Sequence, residues 1–267
     1  MDPRTFEKFR ELIYAKSGIH LAPEKATLVA SRISKRMRAL EIDTPGHYFD
    51  YVVEDRSGQE LVQLLDAIST NFTSFYREPV HIELMAKLLS EWAARGQRRF
   101  RLWSAASSSG EEPYTMGIAA LEALAAYPGC DLKILATDIS TRMLERCMAG
   151  VYDEERVKPV PRMLMQKYFD REDRDGGSYY RVNDLLRRVL VFRRFNLSET
   201  PFKLKGPLDI VFCRNVMIYF DNTVRTRLVN EVHRILKPGG YLMIGHSESL
   251  NGLPTPLESV RPAVYMK

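Results

Sequence analysis

The sequence predicts an α/β fold preceded by a small helical bundle, and three observations indicate it. Residues 1–70 carry apolar side chains at helical spacing. After residue 98, short apolar runs alternate with helical segments, a pattern typical of a mostly parallel sheet with crossover helices. Residues 150–188 interrupt this alternation with aromatic segments around an Asp-Gly-Gly sequence, which predicts a small antiparallel insertion.

The first 70 residues are predicted to form four amphipathic helices. Apolar stripes near 6–13 and 28–40 mark the first two, and leucines between 61 and 68 mark the fourth. The third helix is predicted to begin at Thr44, a plausible N-cap that is followed by Pro45. Such short helices bury their apolar stripes by packing into a bundle.

The α/β part is predicted to contain six strands and three main helices. The strands are predicted at 100–103, 132–136, 189–192, 208–213, 241–244 and 263–266, and the helices at 113–126, 140–149 and 222–236. We therefore divide the chain into a helical domain (1–75), a connecting helix (76–98) and an α/β domain (99–267) with its insertion at about 150–188. Ligands of such sheets bind beyond the carboxyl ends of the strands.

The composition excludes several protein classes and leaves the partner open. The 267 residues are 45% hydrophobic and 27% charged, which disfavours collagenous and disordered chains. No apolar run approaches the roughly 18 residues of a membrane span, and the N-terminus lacks an apolar signal core, so we expect a cytoplasmic protein without membrane insertion. Three scattered cysteines disfavour disulfides and a structural zinc. The net charge of +5 suggests nucleic acid, a membrane surface or an acidic protein as partner.

Two loops of the predicted sheet carry candidate ligand-binding residues. The loop 104–113 after the first strand is rich in small residues, which either let a ligand approach the backbone or form an ordinary serine-rich loop. Asp138 ends the second strand, 138 − 111 = 27 residues after Glu111. An acidic residue at this position binds ribose hydroxyls in some sheets of this kind, or it caps the next helix.

Polar residues at two further places need partners. Arg214 and Asn215 follow a buried apolar strand, where an unsatisfied polar group costs about 1–3 kcal/mol, so either a ligand or internal hydrogen bonds must satisfy them. The segment 71–78 lies where the helical part meets the α/β part, and it is either a linker or one wall of a ligand pocket. Residues 236–240, Leu-Lys-Pro-Gly-Gly, predict the end of a helix, a turn and a new strand.

Together these motifs resemble the chemotaxis receptor methyltransferase (CheR) family over essentially the whole chain. The motifs that carry the resemblance are N-F-T-S-F-Y-R-E at 71–78, W-S-A-A-S-S-S-G-E-E-P-Y at 103–114, A-T-D-I-S at 136–140, F-N-L at 195–197, F-C-R-N-V-M-I-Y-F at 212–220 and G-H-S-E-S at 245–249. The resemblance implies a class I S-adenosylmethionine-dependent methyltransferase fold, Rossmann-like, with a mostly parallel sheet and an antiparallel last strand. The first loop departs from the family's usual pattern at Ser107 and Ser109, both of which are small.

The resemblance also implies an activity and its residues. A methyl group would pass from S-adenosylmethionine to glutamate side chains on the cytoplasmic helices of chemoreceptors, giving glutamyl methyl esters and S-adenosylhomocysteine, with no metal. Arg77 is a candidate to orient the incoming carboxylate, and Tyr219 either lines the methyl-transfer site or packs in the core. The implied cofactor-binding residues are Asn71, Thr73, Arg77, Glu111, Asp138, Asn196, Leu197, Arg214 and Asn215.

A basic stripe in the helical part is a candidate docking surface. Arg32, Lys35 and Arg36 share one helix face, which is either a solvated face or, as the resemblance implies, the site that docks acidic receptor helices. Reversing all three charges is expected to raise the Michaelis constant (KM) for receptor. The insertion corresponds to the family's β-subdomain, whose edge strand in some members captures a receptor C-terminal peptide by β-augmentation.

Two other functions compete with this reading. A nucleic-acid methyltransferase would fit the basic pI, but enzymes that methylate the amino groups of bases often carry an Asn- or Asp-Pro-Pro-aromatic motif after the fourth strand. This chain has Arg-Asn-Val-Met at 214–217, so no nucleic-acid substrate is expected. A noncatalytic cofactor-sensing module is the second alternative, and the full set of pocket motifs counts against it.

Overall fold

A computed structural model describes residues 1–69, 71–174 and 176–267. The helical part contains α1 (Pro3–Ser17), α2 (Ala26–Ala39), α3 (Pro45–Glu54) and α4 (Gln59–Ile68), which confirms the four predicted helices. Thr44 caps α3 by accepting a hydrogen bond from the His47 amide at 3.2 Å, and Pro45 opens the helix as predicted. The four helices bury one apolar core that includes Phe9, Ile33 and Leu64.

A seven-stranded sheet forms the centre of the α/β part. After α5 (Pro79–Ala94), the strands are β1 (Arg99–Ser104), β2 (Asp131–Asp138), β6 (Leu190–Arg194), β7 (Leu208–Cys213), β8 (Leu236–Ile244), β9 (Glu258–Arg261) and β10 (Val264–Met266). Their order is β6-β2-β1-β7-β8-β10-β9, with the first five parallel and β10 antiparallel to β8. The predicted mostly parallel sheet with an antiparallel last strand is therefore confirmed, and the sequence analysis missed only β9 among these strands.

Helices cover both faces of this sheet. The crossover helices are α6 (Glu111–Leu124), α7 (Thr141–Ala149) and α11 (Asn222–Ile235). One core, around Phe100 and Tyr114, fills the face covered by α5 and α6, and a second, around Trp103 and Leu228, fills the face covered by α11. Because both faces are covered, the central strand β7 is buried along its whole length.

The insertion is a three-stranded antiparallel sheet, as predicted. It contains β3 (Val151–Asp153), α8 (Glu154–Val157), α9 (Arg162–Tyr168), β4 (Phe169–Arg174), β5 (Gly177–Val182) and α10 (Asp184–Arg187), with the strands in the order β3-β5-β4. The strands β4 and β5 pair as the two arms of the predicted hairpin. Asp175 of the predicted turn, like Thr70 at the end of the helical part, lies outside the described residues.

The Leu-Lys-Pro-Gly-Gly segment differs from its prediction. Leu236 already pairs with Leu208, and the next paired residues are Tyr241 and Ile210, so the Pro-Gly-Gly sequence bulges inside β8 instead of forming a turn before it. Gly239 takes a positive φ of 70° in this bulge, which glycine adopts without strain. No helix in the described part of the chain combines the length and the apolar character needed to cross a membrane.

The end of α1 fastens the helical part to the α/β part. The Tyr14 hydroxyl donates to Asp221 at 2.6 Å, and the His20 amide donates to the Tyr219 carbonyl at 2.7 Å. The Asn196 amide group donates to the carbonyl of Lys16 at 2.9 Å. The two parts of the chain are therefore in direct contact. The domain boundaries at residues 75 and 98 stay predictions.

Candidate functional site

A cleft of about 1150 Å³, including its open mouth, lies between the helical part and the carboxyl ends of β1, β2 and β7. Parallel strands end at the same edge of a sheet, so the loops that follow them converge here. The opposite wall is formed by residues of α1, α2 and the segment between them, together with Ile68, Ser69 and residues from 71–77. A cleft at this edge of a parallel sheet, between two parts of the chain, is a usual position for a ligand site.

The backbone around this cleft is locally strained. Tyr76, Glu78, Ser108 and Asn215 all have positive φ angles, between 47° and 58°, although none is glycine. Such conformations cost of order 1–3 kcal/mol each and persist where the surrounding structure holds them. Their concentration around one cleft indicates that its geometry is fixed before a ligand binds.

Asp138 lines the cleft with its carboxylate held by backbone amides. One oxygen accepts from the Ser108 amide at 2.8 Å and the other from the Ser140 amide at 2.9 Å. The side chain is 8% exposed, and burial raises the pKa of Asp138. Ser140 caps α7 by accepting from the Met143 amide, so the capping alternative for Asp138 is wrong.

Arg214 is a buried brace inside the wall of the cleft. Its Nε donates to Glu112 at 2.8 Å, and both terminal nitrogens donate to the Arg77 carbonyl at 3.0 Å. Internal hydrogen bonds thus satisfy this guanidinium and tie the segment 71–78 to the start of α6. Glu112 also accepts from the Ser104 hydroxyl at 2.7 Å and lines the cleft. Sequence reasoning missed Glu112, although the Glu-Glu pair at 111–112 was the available signal.

Glu111 is the one implied cofactor residue that does not line the cleft. Its carboxylate accepts from Arg156 at 2.8 Å and from the Ser109 hydroxyl at 2.7 Å. These bonds fasten the start of α6 to the insertion. Its contact with a cofactor stays a prediction.

The segment 71–77 presents unpartnered polar groups to the cleft. Asn71, Thr73 and Arg77 all line it. The side chains of Asn71 and Thr73 have no hydrogen-bond partner among residues 1–69, 71–174 and 176–267. Arg77 donates to the Phe72 carbonyl at 2.9 Å and lies 5.6 Å from the ring of Phe72, which is 75% exposed. These groups are available to a ligand.

Two implied cofactor residues are held by bonds within the chain. Asn196 bonds Lys16 and also accepts from the Ser198 hydroxyl at 2.8 Å, while the buried Leu197 supplies an apolar patch. The backbone amide of Asn215 donates to the Glu248 carboxylate at 2.8 Å. All three residues line the cleft, so their implied roles keep a geometric basis.

Glu248, from the G-H-S-E-S motif, supports the cleft from outside its lining, and sequence reasoning gave it no role. Its carboxylate accepts from the backbone amides of Gly245, Asn215 and Ile218 at 2.6, 2.8 and 3.2 Å. Burial raises its pKa. It therefore fixes the strained loop that follows β7.

Tyr219 forms part of the cleft wall rather than of the core. It ends a short 3₁₀ turn (Met217–Tyr219) whose buried residue is Met217. The Tyr219 ring is half-buried, and the Lys25 ammonium lies 5.8 Å from its centroid. The core-packing alternative is therefore wrong, while the role of Tyr219 in methyl transfer stays a prediction.

The basic stripe on α2 is only in part a solvated face. Arg36 forms a two-pronged ion pair with Glu60 at 2.9 and 2.6 Å, and Glu60 also accepts from the Tyr48 hydroxyl. Arg32 donates to the carbonyls of residues 67, 68 and 69 at the end of α4. Lys35 alone of the three is exposed and has no side-chain partner in the described part of the chain. Reversing all three charges would thus disrupt the bundle as well as any docking.

Glu78, His81 and His246 offer donor atoms within 4.8 Å of one another. However, Nη1 of Arg214 lies 3.4 Å from His81 and 3.5 Å from Glu78, which places a permanent positive charge beside any bound cation. Burial, with the Arg214 charge, lowers the pKa of His81 to about 4. The donor set therefore suits a cation poorly, and the expected absence of a metal stays a prediction.

Comparisons with known proteins give matches to both the helical part and the α/β part of the chain. The SAM-binding domain of CheR methyltransferase matches residues 71–266, and the CheR methyltransferase all-alpha domain matches residues 4–69. Chemotaxis protein methyltransferase 2 of Pseudomonas aeruginosa is 39% identical over 260 residues, covering 97% of this chain and 91% of that protein. The chemotaxis protein methyltransferase of Salmonella typhimurium is 37% identical over 248 residues, covering 93% and 84%.

Proposed function

The chain belongs to the CheR methyltransferase family, and we propose that it methylates glutamate side chains on the cytoplasmic helices of chemoreceptors. It is an S-adenosylmethionine-dependent methyltransferase, and the products would be glutamyl methyl esters and S-adenosylhomocysteine. The observation that carries the proposal is the cleft, which brings the implied cofactor residues other than Glu111 together at one edge of the sheet. Chemoreceptor helices as substrate place the enzyme in the cytoplasm.

The residues that line the cleft fit the chemistry of S-adenosylmethionine. Ala105 and Ala106 follow β1 without bulky side chains, so a ligand can approach the sheet edge. The acidic Asp138 and the unpartnered polar groups of Asn71 and Thr73 can hold its ribose, adenine and methionine parts, and Leu197 supplies an apolar contact. When bound, the cofactor supplies a methyl group already activated by its sulfonium.

The chain's own contribution is positioning. A glutamate carboxylate has a reference pKa of about 4.3, so it is ionised at neutral pH and no general base is required. Alignment of the two reactants can contribute up to about 7–11 kcal/mol. We propose that Arg77 orients the carboxylate, since it lines the cleft and its backbone carbonyl is held by Arg214. Too strong a bond to the carboxylate would slow transfer, because its charge disappears in the product.

The insertion supports a second receptor contact. Its strand β5 lies between β3 and β4, so β4 is one of the two edge strands of this sheet. A receptor C-terminal peptide could pair with that edge by β-augmentation. Calorimetric titration with such a peptide tests this contact.

Methyl transfer from radiolabelled cofactor to receptor-containing membranes tests the function. We expect label in the receptor that base releases as methanol, since esters are base-labile. A base-stable label on RNA would instead identify a nucleic-acid methyltransferase. Absence of any transfer would identify a noncatalytic cofactor-binding module.

A further inference from the structure

A second groove, about 1090 Å³ with its open mouth, lies beside the cleft between α2 and α7. We call it the basic groove. Arg32, Ser69 and Asn71 line both the cleft and the groove, so the groove borders the cleft. The residues that line the basic groove are Arg32, Lys35, Arg36, Asp66, Ala67, Ser69, Asn71, Ser109, Arg142, Met143, Arg146 and Arg156.

Some of the cationic side chains that line the groove are paired within the chain, and others are not. Arg36 and Arg156 pair with the buried acids Glu60 and Glu111, and Arg32 bonds carbonyls of α4. The other three cations, on the two opposite walls, are exposed and have no side-chain partner among the described residues. These three are Lys35, Arg142 and Arg146.

Asp66 is the one acidic side chain that lines the groove in the described part of the chain. It is 3% exposed, and one carboxylate oxygen accepts from the Thr141 hydroxyl and the Arg142 amide at 3.3 Å each. Its other oxygen is buried without a hydrogen-bond partner among these residues. A buried carboxylate accepts hydrogen bonds from donor side chains, while the exposed cations Lys35, Arg142 and Arg146 attract acidic ones. A protein helix that carries both kinds of side chain therefore fits the groove.

We propose that the basic groove seats an acidic receptor helix, with Arg142 and Arg146 of α7 forming the wall opposite Lys35 of α2. This inference rests on the proposed function and deepens it. Arg142 and Arg146 stand four residues apart on one face of α7, and acidic side chains three or four residues apart share one face of a partner helix. Because the groove borders the cleft, a helix seated in it brings its acidic face next to the cleft that Arg77 lines.

The test compares two double variants with the same change of net charge. Arg142→Glu with Arg146→Glu reverses the α7 wall. Arg38→Glu with Arg261→Glu is the control, since both arginines are exposed and neither lines the groove. Methylation rates are measured against the concentration of receptor-containing membranes, and cofactor affinity is measured by calorimetry. We expect the α7 variant to raise the KM for receptor at least tenfold, because docking charges act on encounter and binding.

The remaining parameters separate docking from damage to the enzyme. In the α7 variant, cofactor affinity and turnover at saturating receptor should stay within twofold of wild type, and the control variant should stay within twofold in every parameter. The milder pair Arg142→Gln with Arg146→Gln should raise the KM by a smaller factor. Higher salt should narrow the gap between wild type and variant.

Three outcomes would overturn the inference in distinguishable ways. If wild-type enzyme methylates receptor and the α7 variant keeps its KM, the groove does not dock the receptor, and the proposed function stands. If wild-type enzyme transfers no methyl to receptor, the proposed function fails together with the inference. Binding of RNA or of anionic vesicles that the α7 variant loses, with receptor KM unchanged, would assign the groove to another partner.

Discussion

The helices α2 and α7 both line the basic groove, and each contributes two arginines four residues apart. On α2, Arg32 bonds the carbonyls at the end of α4, and Arg36 pairs with Glu60. On α7, Arg142 and Arg146 are exposed and meet no side-chain partner in the part of the chain that the structure describes. The same sequence pattern therefore builds the fold on one wall and leaves charge available for a partner on the other.

The difference follows from what lies beneath each helix. Glu60 is buried, and a buried carboxylate without a compensating cation costs several kcal/mol, so Arg36 is needed there. The last carbonyls of α4 lack intrahelical partners, and Arg32 supplies donors to them. Under α7 the buried acid is Asp66, which accepts from the Thr141 hydroxyl and the backbone amide of Arg142 instead of from the arginine side chains.

The largest expected loss of stability comes from removing Arg36 of α2, which pairs with Glu60. Arg36→Ala should lower the free energy of unfolding by about 3 kcal/mol, because it leaves Glu60 buried with only the Tyr48 hydroxyl as a side-chain donor. Urea unfolding followed by circular dichroism measures this loss. Lys35→Ala is the matched control on the same helix and should change stability by less than about 0.5 kcal/mol. Equal losses in the two variants would contradict the structural role of Arg36.

Much of the fold was predictable because its signals are local. Apolar spacing marks the helices of the bundle, and short apolar runs mark the strands of the sheet. The bulge in β8 was not predictable, because its register depends on pairing with β7.

The partners of the arginines carried no local signal. Arg36 and Glu60 are 24 residues apart, and Arg214 and Glu112 are 102 residues apart. Helix spacing could therefore place Arg36 on a face but could not show that the face is occupied. Adjacent residues such as Glu111 and Glu112 also diverge, because successive helix positions point in different directions.

A second effect on stability depends on Arg214, another arginine that is held by bonds within the chain. Burial and the Arg214 charge lower the pKa of His81 from an ordinary 6.5 to about 4. The folded protein thus keeps His81 neutral where the unfolded chain binds a proton, so the contribution to stability is full above pH 6.5 and declines as the pH falls toward 4. Between pH 7 and pH 5 this amounts to about 2 kcal/mol.

Urea unfolding at pH 7 and pH 5 measures this dependence. His81→Gln should lose about 2 kcal/mol less than wild type between the two pH values, because glutamine does not titrate. His47→Gln, at an exposed histidine on α3, should retain the wild-type pH dependence. A wild-type slope in His81→Gln would show that His81 is not kept neutral by its surroundings.

The third effect is on turnover, and it distinguishes the proposed role of Arg77 in orienting the substrate from the structural role of Arg214. Arg77→Ala should lower turnover at least tenfold, about 1.4 kcal/mol, if its guanidinium orients the substrate carboxylate. The backbone carbonyl that Arg214 bonds survives this substitution, so the brace stays intact. Saturating kinetics with receptor membranes measure turnover, and calorimetry checks cofactor affinity. Arg77→Lys, which keeps the charge, should recover part of the rate, and wild-type turnover in Arg77→Ala would refute the role.

The smallest expected effect concerns Arg142 and Arg146 of α7. It tests whether these arginines, unlike those of α2, are dispensable for the fold. Arg142→Ala and Arg146→Ala should each change the free energy of unfolding by less than about 0.5 kcal/mol, because neither side chain has a partner to lose among the described residues. Their urea midpoints should match wild type under conditions where Arg36→Ala has lost about 3 kcal/mol. A loss above about 1 kcal/mol in either variant would mean that α7, like α2, uses its arginines to hold the fold. A higher receptor KM in that variant would then report damage to the groove, whereas unchanged stability with a higher KM assigns the α7 charges to docking.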